Sequence, residues 1–428
     1  MGTTNLKAVA LSQGAIAASA QAPMEYDGRA VFPAVEFDAE GFFMQVCGLI
    51  RSVVEMLPDG AAITAVCMSQ ASGNTVLLDG NDKPLLPAIS WLDRRTGGDA
   101  RKTLGPSLFE NLYEIVGWPY VDSFPLAHLC RLMAERPELP SSAYKIGMSG
   151  DYANMRLCGA WAMDHSTATT FYLQDQRAGR WHKPFLDALG INEEKLPELL
   201  PVGTVIGRVS PEASALTKLP VGAAVVLGSF DHPSAARGIG AVSEGRLMLS
   251  CGSSWVGFAP IADRERIISM NLLTDPFLRD SGGCWAGYFA LTGIGRAIDG
   301  YIRRLLPGAK DPYAGFEALA ANSPQGAGGL TINPNDAPDG GLIASRPNDV
   351  ARALMEGAAK LFAVKLDELR KGGVPVTETV MVGGAALSGI WPGIVSQAIG
   401  VPVVSHPAAL YAGAVGAATI AFENVSEA

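Results

Sequence analysis

Histidine is scarce in this chain and cysteine is scattered, and the two shortages exclude several chemistries at once. Among 428 residues there are five histidines and six cysteines. Cys47, Cys67, Cys130, Cys158, Cys251 and Cys284 lie too far apart for a zinc knuckle or a CxxC redox pair. No HxxxH pair occurs either. Most of the cysteines fall in apolar stretches and read as free buried thiols of a reducing compartment. Charge is also sparse: 18% of residues are charged and the net charge is −9. That balance argues against a broad nucleic-acid surface and leaves room only for local basic pockets. No apolar run reaches bilayer length, and the opening residues show neither a basic n-region nor an apolar h-region. The expected location is therefore the cytoplasm, without a membrane partner. The sequence leaves oligomeric state open, and a homodimer is compatible with it.

What is present is apolar and patterned. Hydrophobic residues make up 48% of the chain, enough for substantial cores in two or three domains. Strands are expected at Leu6–Leu11, Ala15–Ala20 and Val31–Val35. A helix over 38–57 follows, with Phe42, Val46, Leu49, Ile50, Val53 and Leu57 on one face. Ile63–Met68 reads as a buried strand leading into the polar loop Ser69-Gln70-Ala71-Ser72-Gly73. The second half alternates in the same way. A long helix is expected over 350–371, a strand at Thr379–Val382, a helix from Trp391 to Ile399, a strand at Val401–Val404 and a small-residue helix over 412–422. The Gly-, Pro- and Asn-rich stretch from Asn322 to Gly341 reads as a surface loop.

One junction stands out. Val225 to Leu227 is a short apolar run of the kind a sheet buries on both faces, and Asp231 follows it. Open α/β sheets carry their chemistry just beyond the carboxyl ends of their strands. A carboxylate there can serve as a base, or it can simply cap the next helix. Gly252-Ser253-Ser254 follows soon after and offers N–H groups and hydroxyls to phosphate oxygens, or makes an ordinary hairpin. A base near a phosphate turn points to phosphoryl transfer onto a hydroxyl. Gly2-Thr3-Thr4 before Leu6–Ala10 echoes Gly252-Ser253-Ser254 before Trp255–Ala259. Each half thus carries one small-hydroxyl turn, as two similar α/β halves sharing a nucleotide would.

Taken in order, these residues resemble the FGGY carbohydrate kinases, and the resemblance runs over almost the whole chain. Gly2-Thr3-Thr4 is similar to the first phosphate loop and Gly252-Ser253-Ser254 to the second. Gln70 with Trp91, Asp93 and Arg94 is similar to the sugar-facing Gln and Trp-x-Asp-x-Arg region, with Arg95 as the other claimant for the arginine place. Asp231 falls on the catalytic base. Glu356-Gly357 and Gly383-Gly384-Ala385-Ala386-Leu387-Ser388 resemble the adenosine-binding stretch; Gly383-Gly384 read alone is also a plain strand-to-helix turn. The resemblance implies two ribonuclease-H-like domains of the actin and hexokinase superfamily, residues 1–241 binding sugar and 242–428 binding nucleotide, with a cleft between them. It implies ATP and Mg2+ as cofactors and a small sugar, polyol or sugar acid as substrate. Kinase catalysis is mostly positioning and charge stabilisation, which suits N–H-rich turns, a metal and one base.

Three departures qualify this. The family's first loop reads Asp-x-Gly-Thr, and its Asp helps to hold magnesium; here Met1 stands at x. We therefore expect a further strand ending in that Asp upstream, and weak magnesium–ATP binding and slow turnover by the chain as it stands. Gln70-Ala71-Ser72-Gly73 replaces the Gln-Met-His-Gly of xylulokinases, which makes D-xylulose a poor expectation. His128 and Arg131 stand where the family usually has Lys and Trp. Two other readings remain open: a sugar-binding protein of kinase fold that no longer catalyses, and an ATPase of the wider actin-like superfamily.

Overall fold

The computed structural model describes all residues except 1, 3, 29–31, 72, 96–98, 337–344 and 426–428. The chain divides into two compact units. The first comprises 1–238, 275–282 and 413–428; the second comprises 239–274 and 283–412. The main division falls at 238/239, three residues before the boundary expected at 241. Two segments of the second half, 275–282 and 413–428, join the first unit.

In the first unit, β1 (Asn5–Ser12) and β2 (Ala15–Pro23) form an antiparallel hairpin. Helix α1 (Ala39–Glu55) packs on that hairpin. Asp38 starts the helix, its carboxylate accepting from the Glu40 N–H at 3.0 Å. Phe42, Phe43, Val46, Leu49 and Val53 recur at helical spacing and are buried, whereas Ile50 is half-buried and Leu57 lies past the helix end. The expected strand at Val31–Val35 does not form over the described residues 32–35; pairing begins only at Glu36–Phe37, against Ala88–Ile89. Pro33 has no N–H to give a ladder.

A second sheet of this unit has the order β4–β5–β3, where β3 is Ala65–Gln70, β4 is Val205–Arg208 and β5 is Ala224–Phe230. Strand β5 is buried at all seven positions, as its unbroken apolar run requires. It runs parallel to β3 and antiparallel to β4. Helix α2 (Ser149–Cys158) lies in the same unit, and α3 (Asp231–Gly238) leaves β5 without any intervening loop.

The second unit is built on a six-stranded mixed sheet, β8–β9–β7–β6–β10–β11. Its strands are β6 (Gly245–Cys251), β7 (Trp255–Ile261), β8 (Leu273–Asp275), β9 (Trp285–Leu291), β10 (Val376–Gly383) and β11 (Val403–Ser405). Helix α4 (Ile294–Leu305) follows β9, and the 25-residue α5 (Pro347–Lys371) buries Leu354, Ala358, Phe362, Leu366 and Leu369. Phe362 meets Phe289 of β9 with ring centroids 5.9 Å apart. Helix α6 (Trp391–Ile399) links β10 to β11, and α7 (Ala412–Val425) returns to the first unit.

Candidate active site

Register brings the first unit's polar residues together. Phe230, the last residue of β5, pairs with Gln70, the last of β3. Asp231 is next in sequence, so Gln70 and Asp231 emerge at neighbouring carboxyl ends of parallel strands, where α/β sheets place their chemistry. Gln70 Oε1 and Asp231 Oδ1 are both buried and have no hydrogen-bond partner among the described residues. Such oxygens are costly to bury unless something donates to them. His232 Nε2 lies 3.9 Å from Asp231 Oδ1, too far for a hydrogen bond.

The backbone holds these two side chains firmly. The amide of Gln70 rests on the first turn of α2, where a Cβ at Gly150 would fall 2.0 Å from Gln70 Oε1. That turn is itself tied down: Ser149 N donates to Asn74 Oδ1 at 2.7 Å and Met148 N to Asp151 Oδ2 at 2.8 Å. Behind Asp231, α3 packs against α7. Ser234 Oγ donates to Gly413 O at 3.0 Å, and a Cβ at Gly416 would lie 1.7 Å from Ser234 O. Only glycine permits that approach.

Aromatic rings connect the remaining residues. Trp91 lies 6.4 Å from Phe124, Phe124 lies 5.8 Å from Trp118, and Trp118 lies 6.0 Å from Phe230. The Phe230 ring in turn stands 5.5 Å from that of His232. Sequence reasoning singled out Trp91 but missed Trp118 and Phe124. The available signal was the run Trp118-Pro-Tyr120 followed by Phe124, a local density of rings in a chain only 7% aromatic.

Asp93 is buried and its acceptors are used within the chain. Val35 N donates to Oδ2 at 3.0 Å, Arg95 N to Oδ1 at 2.9 Å, and the Arg95 guanidinium pairs with the carboxylate. Arg95 also reaches Glu36. Burial pulls the Asp93 pKa up, but these partners win and hold it below the ordinary carboxylate range. Arg94 is exposed and contributes its backbone N–H to Pro33 O at 2.8 Å. Of the two candidate arginines, Arg95 is the one that holds Asp93. Nearby, His128 Nδ1 lies 2.9 Å from Thr75 Oγ1, and burial pushes its pKa down to about 3. It is neutral near pH 7.

In the second unit, three backbone segments converge. Gly252-Ser253-Ser254 joins β6 to β7, with Gly252 N donating to Ser254 O at 3.1 Å. The start of α4 docks on it: Gly295 N and Arg296 N donate to Ser253 O at 3.1 and 3.3 Å, and Gly293 N to Ser254 Oγ at 3.0 Å. A Cβ at Gly295 would stand 1.9 Å from Gly252 O. On the other side Gly383 pairs with Cys251 and has φ +89°, and a Cβ there would lie 2.3 Å from Cys251 O. The surface so formed is mostly backbone. Gly384, Ala385 and Ser388 continue it, with Ser388 Oγ accepting from Ile390 N and Trp391 N to cap α6. Glu356 accepts from Gly326 N and from Arg352. Gly2 N donates to Asn5 O at 3.1 Å, Thr4 is exposed, and Thr3 and Ser72 lie outside the described residues.

An α/β chain with a carboxylate at one strand end and a glycine-built backbone turn in another unit has parts that phosphoryl transfer to an alcohol can use. Comparison with known proteins gives it a family. Residues 1–238 match the FGGY family of carbohydrate kinases, N-terminal domain, and residues 315–424 its C-terminal domain. The chain belongs to the FGGY family of carbohydrate kinases and is an ATP-dependent kinase of that family. It is 25% identical over 421 residues to a gluconokinase of Bacillus licheniformis, covering 91% of this chain and 80% of that one. It is 26% identical over 398 residues to an autoinducer-2 kinase of Enterobacter sp., covering 86% and 74%. Its fold is similar to that of a solved xylulose kinase from Rhodospirillum rubrum, with a TM-score of 0.84, 24% identity and coverage of 100% and 89%. Such kinases have two actin- and hexokinase-like domains, as the sequence leads one to expect. No described helix is long and apolar enough to cross a membrane.

Proposed function

We propose that this chain transfers the γ-phosphate of ATP to a hydroxyl of a small sugar, polyol or sugar acid, with Asp231 as the general base. The observation that carries this reading is the Phe230–Gln70 register, which brings Gln70 and Asp231 to neighbouring strand ends, each with a buried oxygen that has no partner among the described residues. Gln70 Oε1 would accept from one acceptor hydroxyl while Asp231 takes the proton of the attacking one. Trp91, next to Phe124, would offer a ring face to the C–H side of the sugar. Asp93, Arg94 and Arg95 complete the sugar side; since Arg95 occupies Asp93, Asp93 acts chiefly by fixing Arg95 and the loop it sits in.

The phosphates would meet the N–H groups of Gly252, Ser253 and Ser254, with Gly2, Thr3 and Thr4 as the matching turn of the first half. Adenosine would lie along Gly383, Gly384, Ala385 and Ser388. Magnesium is part of this reading. In this reading the ion would be held mainly by phosphate oxygens of the nucleotide. When bound it would neutralise charge on the β- and γ-phosphates. Free cysteines at all six positions suit a reducing compartment, and we assign the protein to the cytoplasm. Domains 1–241 and 242–428 would divide the labour into sugar and nucleotide binding.

An ADP-release assay over aldonates, ketoses and polyols, gluconate first, tests the reading. ADP release should depend on one acceptor, and Asp231→Asn should lower turnover about 10²–10⁴-fold with the sugar still bound. Acceptor binding with no turnover in the unaltered chain would favour a non-catalytic sugar binder. ATP hydrolysis indifferent to every acceptor would favour an actin-like ATPase.

A further inference from the structure

One arginine beside the glycine-built turn of the second unit is left without a partner by the fold. Arg296 is the third residue of α4, the helix whose start docks on Gly252-Ser253-Ser254. The docking is close: Gly295 N and Arg296 N donate to Ser253 O at 3.1 and 3.3 Å, and the absence of a Cβ on Gly295 lets Gly252 O approach. The backbone of Arg296 therefore delivers its side chain to the turn. The guanidinium reaches back to Gly293, with Nη2 3.9 Å from where a Cβ on Gly293 would stand. Gly293 N in turn donates to Ser254 Oγ at 3.0 Å.

This placement runs against two preferences of a helix. The first turn carries the positive end of the macrodipole and favours acids, yet α4 has no acid there and has Arg296 instead. A cation on a helix also pairs readily with a carboxylate three or four residues on. Asp299, the only acid of α4, stands three residues on but is engaged elsewhere. Arg303 Nη2 donates to its Oδ2 at 3.3 Å, and the Tyr313 hydroxyl, from the helix Pro312–Ala321, donates to its Oδ1. Arg296 stays exposed, and among the described residues its guanidinium has neither an ion pair nor a hydrogen bond. A bare cation beside a turn of backbone N–H groups adds charge of the same sign as the exposed ends of those dipoles. The fold gains nothing from that arrangement, whereas an anion lying on the turn does.

We propose that Arg296 binds a phosphate of the nucleotide beyond the first, its guanidinium spanning two non-bridging oxygens of the β- or γ-phosphate. This rests on the reading that the phosphates lie on Gly252–Ser254, and it deepens that reading. Three kinds of donor then surround the phosphate. One is the backbone N–H of Ser253. Another is the Ser254 hydroxyl, whose oxygen accepts from Gly293 N and whose proton can still be given. The third is the Arg296 fork, which supplies a full charge where the turn supplies partial ones. The site then reads the length of the phosphate chain. AMP, with an α-phosphate alone, draws nothing from Arg296, whereas ADP and ATP do.

The test measures binding of AMP, ADP and ATP, each with Mg2+, by titration calorimetry on the full chain and on Arg296→Gln, Arg296→Lys and Ser254→Ala. Arg296→Gln should weaken ADP and ATP about 10–100-fold, the worth of hydrogen bonds to a charged group, and change AMP by less than about twofold. Arg296→Lys keeps the charge without the fork and should recover part of the loss. Without nucleotide, the thermal midpoint of Arg296→Gln should equal or exceed that of the parent, because a cation has left the first turn of α4. Unchanged ADP affinity in Arg296→Gln would overturn the proposal, and so would an equal loss for AMP. If Arg296→Gln is silent while Ser254→Ala weakens ADP, the phosphates lie on the turn and only the role of Arg296 falls. If neither variant alters ADP binding, or the parent binds no adenine nucleotide, the reading of the turn as a phosphate site falls with it.

Discussion

Arg94 and Arg95 are adjacent and identical, yet they have different tasks. The Arg95 guanidinium holds Asp93, whose side chain is 1% exposed, and bridges to Glu36. Arg94 points its side chain to solvent. Replacing Arg95 by Met leaves a buried carboxylate with only two backbone N–H donors. A stability loss of about 1–3 kcal/mol is expected from urea unfolding. Arg94→Met should stay within about 0.5 kcal/mol of the parent. Equal losses in the two variants would contradict the division of labour drawn here. From sequence, either arginine could follow the Trp-x-Asp pattern; the reach of the Arg95 N–H and guanidinium to the Asp93 carboxylate decides between them.

At the scale of elements, the segment 275–282 shows how a piece of the second half is bound into the first unit. Ser166 Oγ donates to Asp275 Oδ2 at 2.7 Å and Phe277 N to Asp275 Oδ1 at 2.7 Å. His165 meets Asp280, and Arg279 donates to the carbonyls of Gln176 and Arg177. Asp275 is fully buried, and desolvation outweighs its hydrogen bonds, pushing its pKa up to about 7. Asp164 close by is raised to about 6 for the same reason. An acid whose folded pKa exceeds its unfolded value of about 3.9 binds an extra proton in the folded state. Its stabilising contribution is complete below about pH 4 and is lost as pH rises through about 7. Asp275→Asn cannot ionise, so urea midpoints at pH 5 and pH 8 should differ less in the variant than in the parent. Asp164 still titrates in the variant, so some pH dependence should remain. An unchanged difference would mean that the ionisation of Asp275 does not change across this range.

For the molecule as a whole, the proposal assigns sugar and nucleotide to residues of different units, and ligand-induced stabilisation can separate them. A ligand at 100 times its dissociation constant stabilises the folded state by about 2.7 kcal/mol. Gly384→Val is a clean probe, because a Cβ at Gly384 meets nothing within 4 Å. The variant should fold normally, lose the thermal shift produced by ATP with magnesium, and keep the shift produced by its sugar. Asp231→Asn should keep both shifts. A Gly384→Val protein that still responds fully to ATP would remove the adenosine assignment from this stretch.

The sequence alone determined the α/β class, the family and the strand-end position of Asp231. Periodic apolar runs and glycine-hydroxyl turns are local features, legible wherever they stand in a chain. It also gave the helices over 38–57, 350–371 and 412–422 to within a few residues, since each carries its own apolar face. It erred at Val31–Val35, where a run of apolar residues resembles a strand but Pro33 gives the ladder no N–H. Tertiary structure decided what depends on partners distant in sequence. The Phe230–Gln70 register follows from a parallel pairing across 160 residues, and no local pattern encodes which residues of two strands face each other. The return of 275–282 and 413–428 to the first unit, the ring contacts of Trp118 and Phe124, and the capture of Asp93 by Arg95 are of the same kind. Each is set by burial and by which donor reaches which acceptor, and those become definite only when the whole chain is packed.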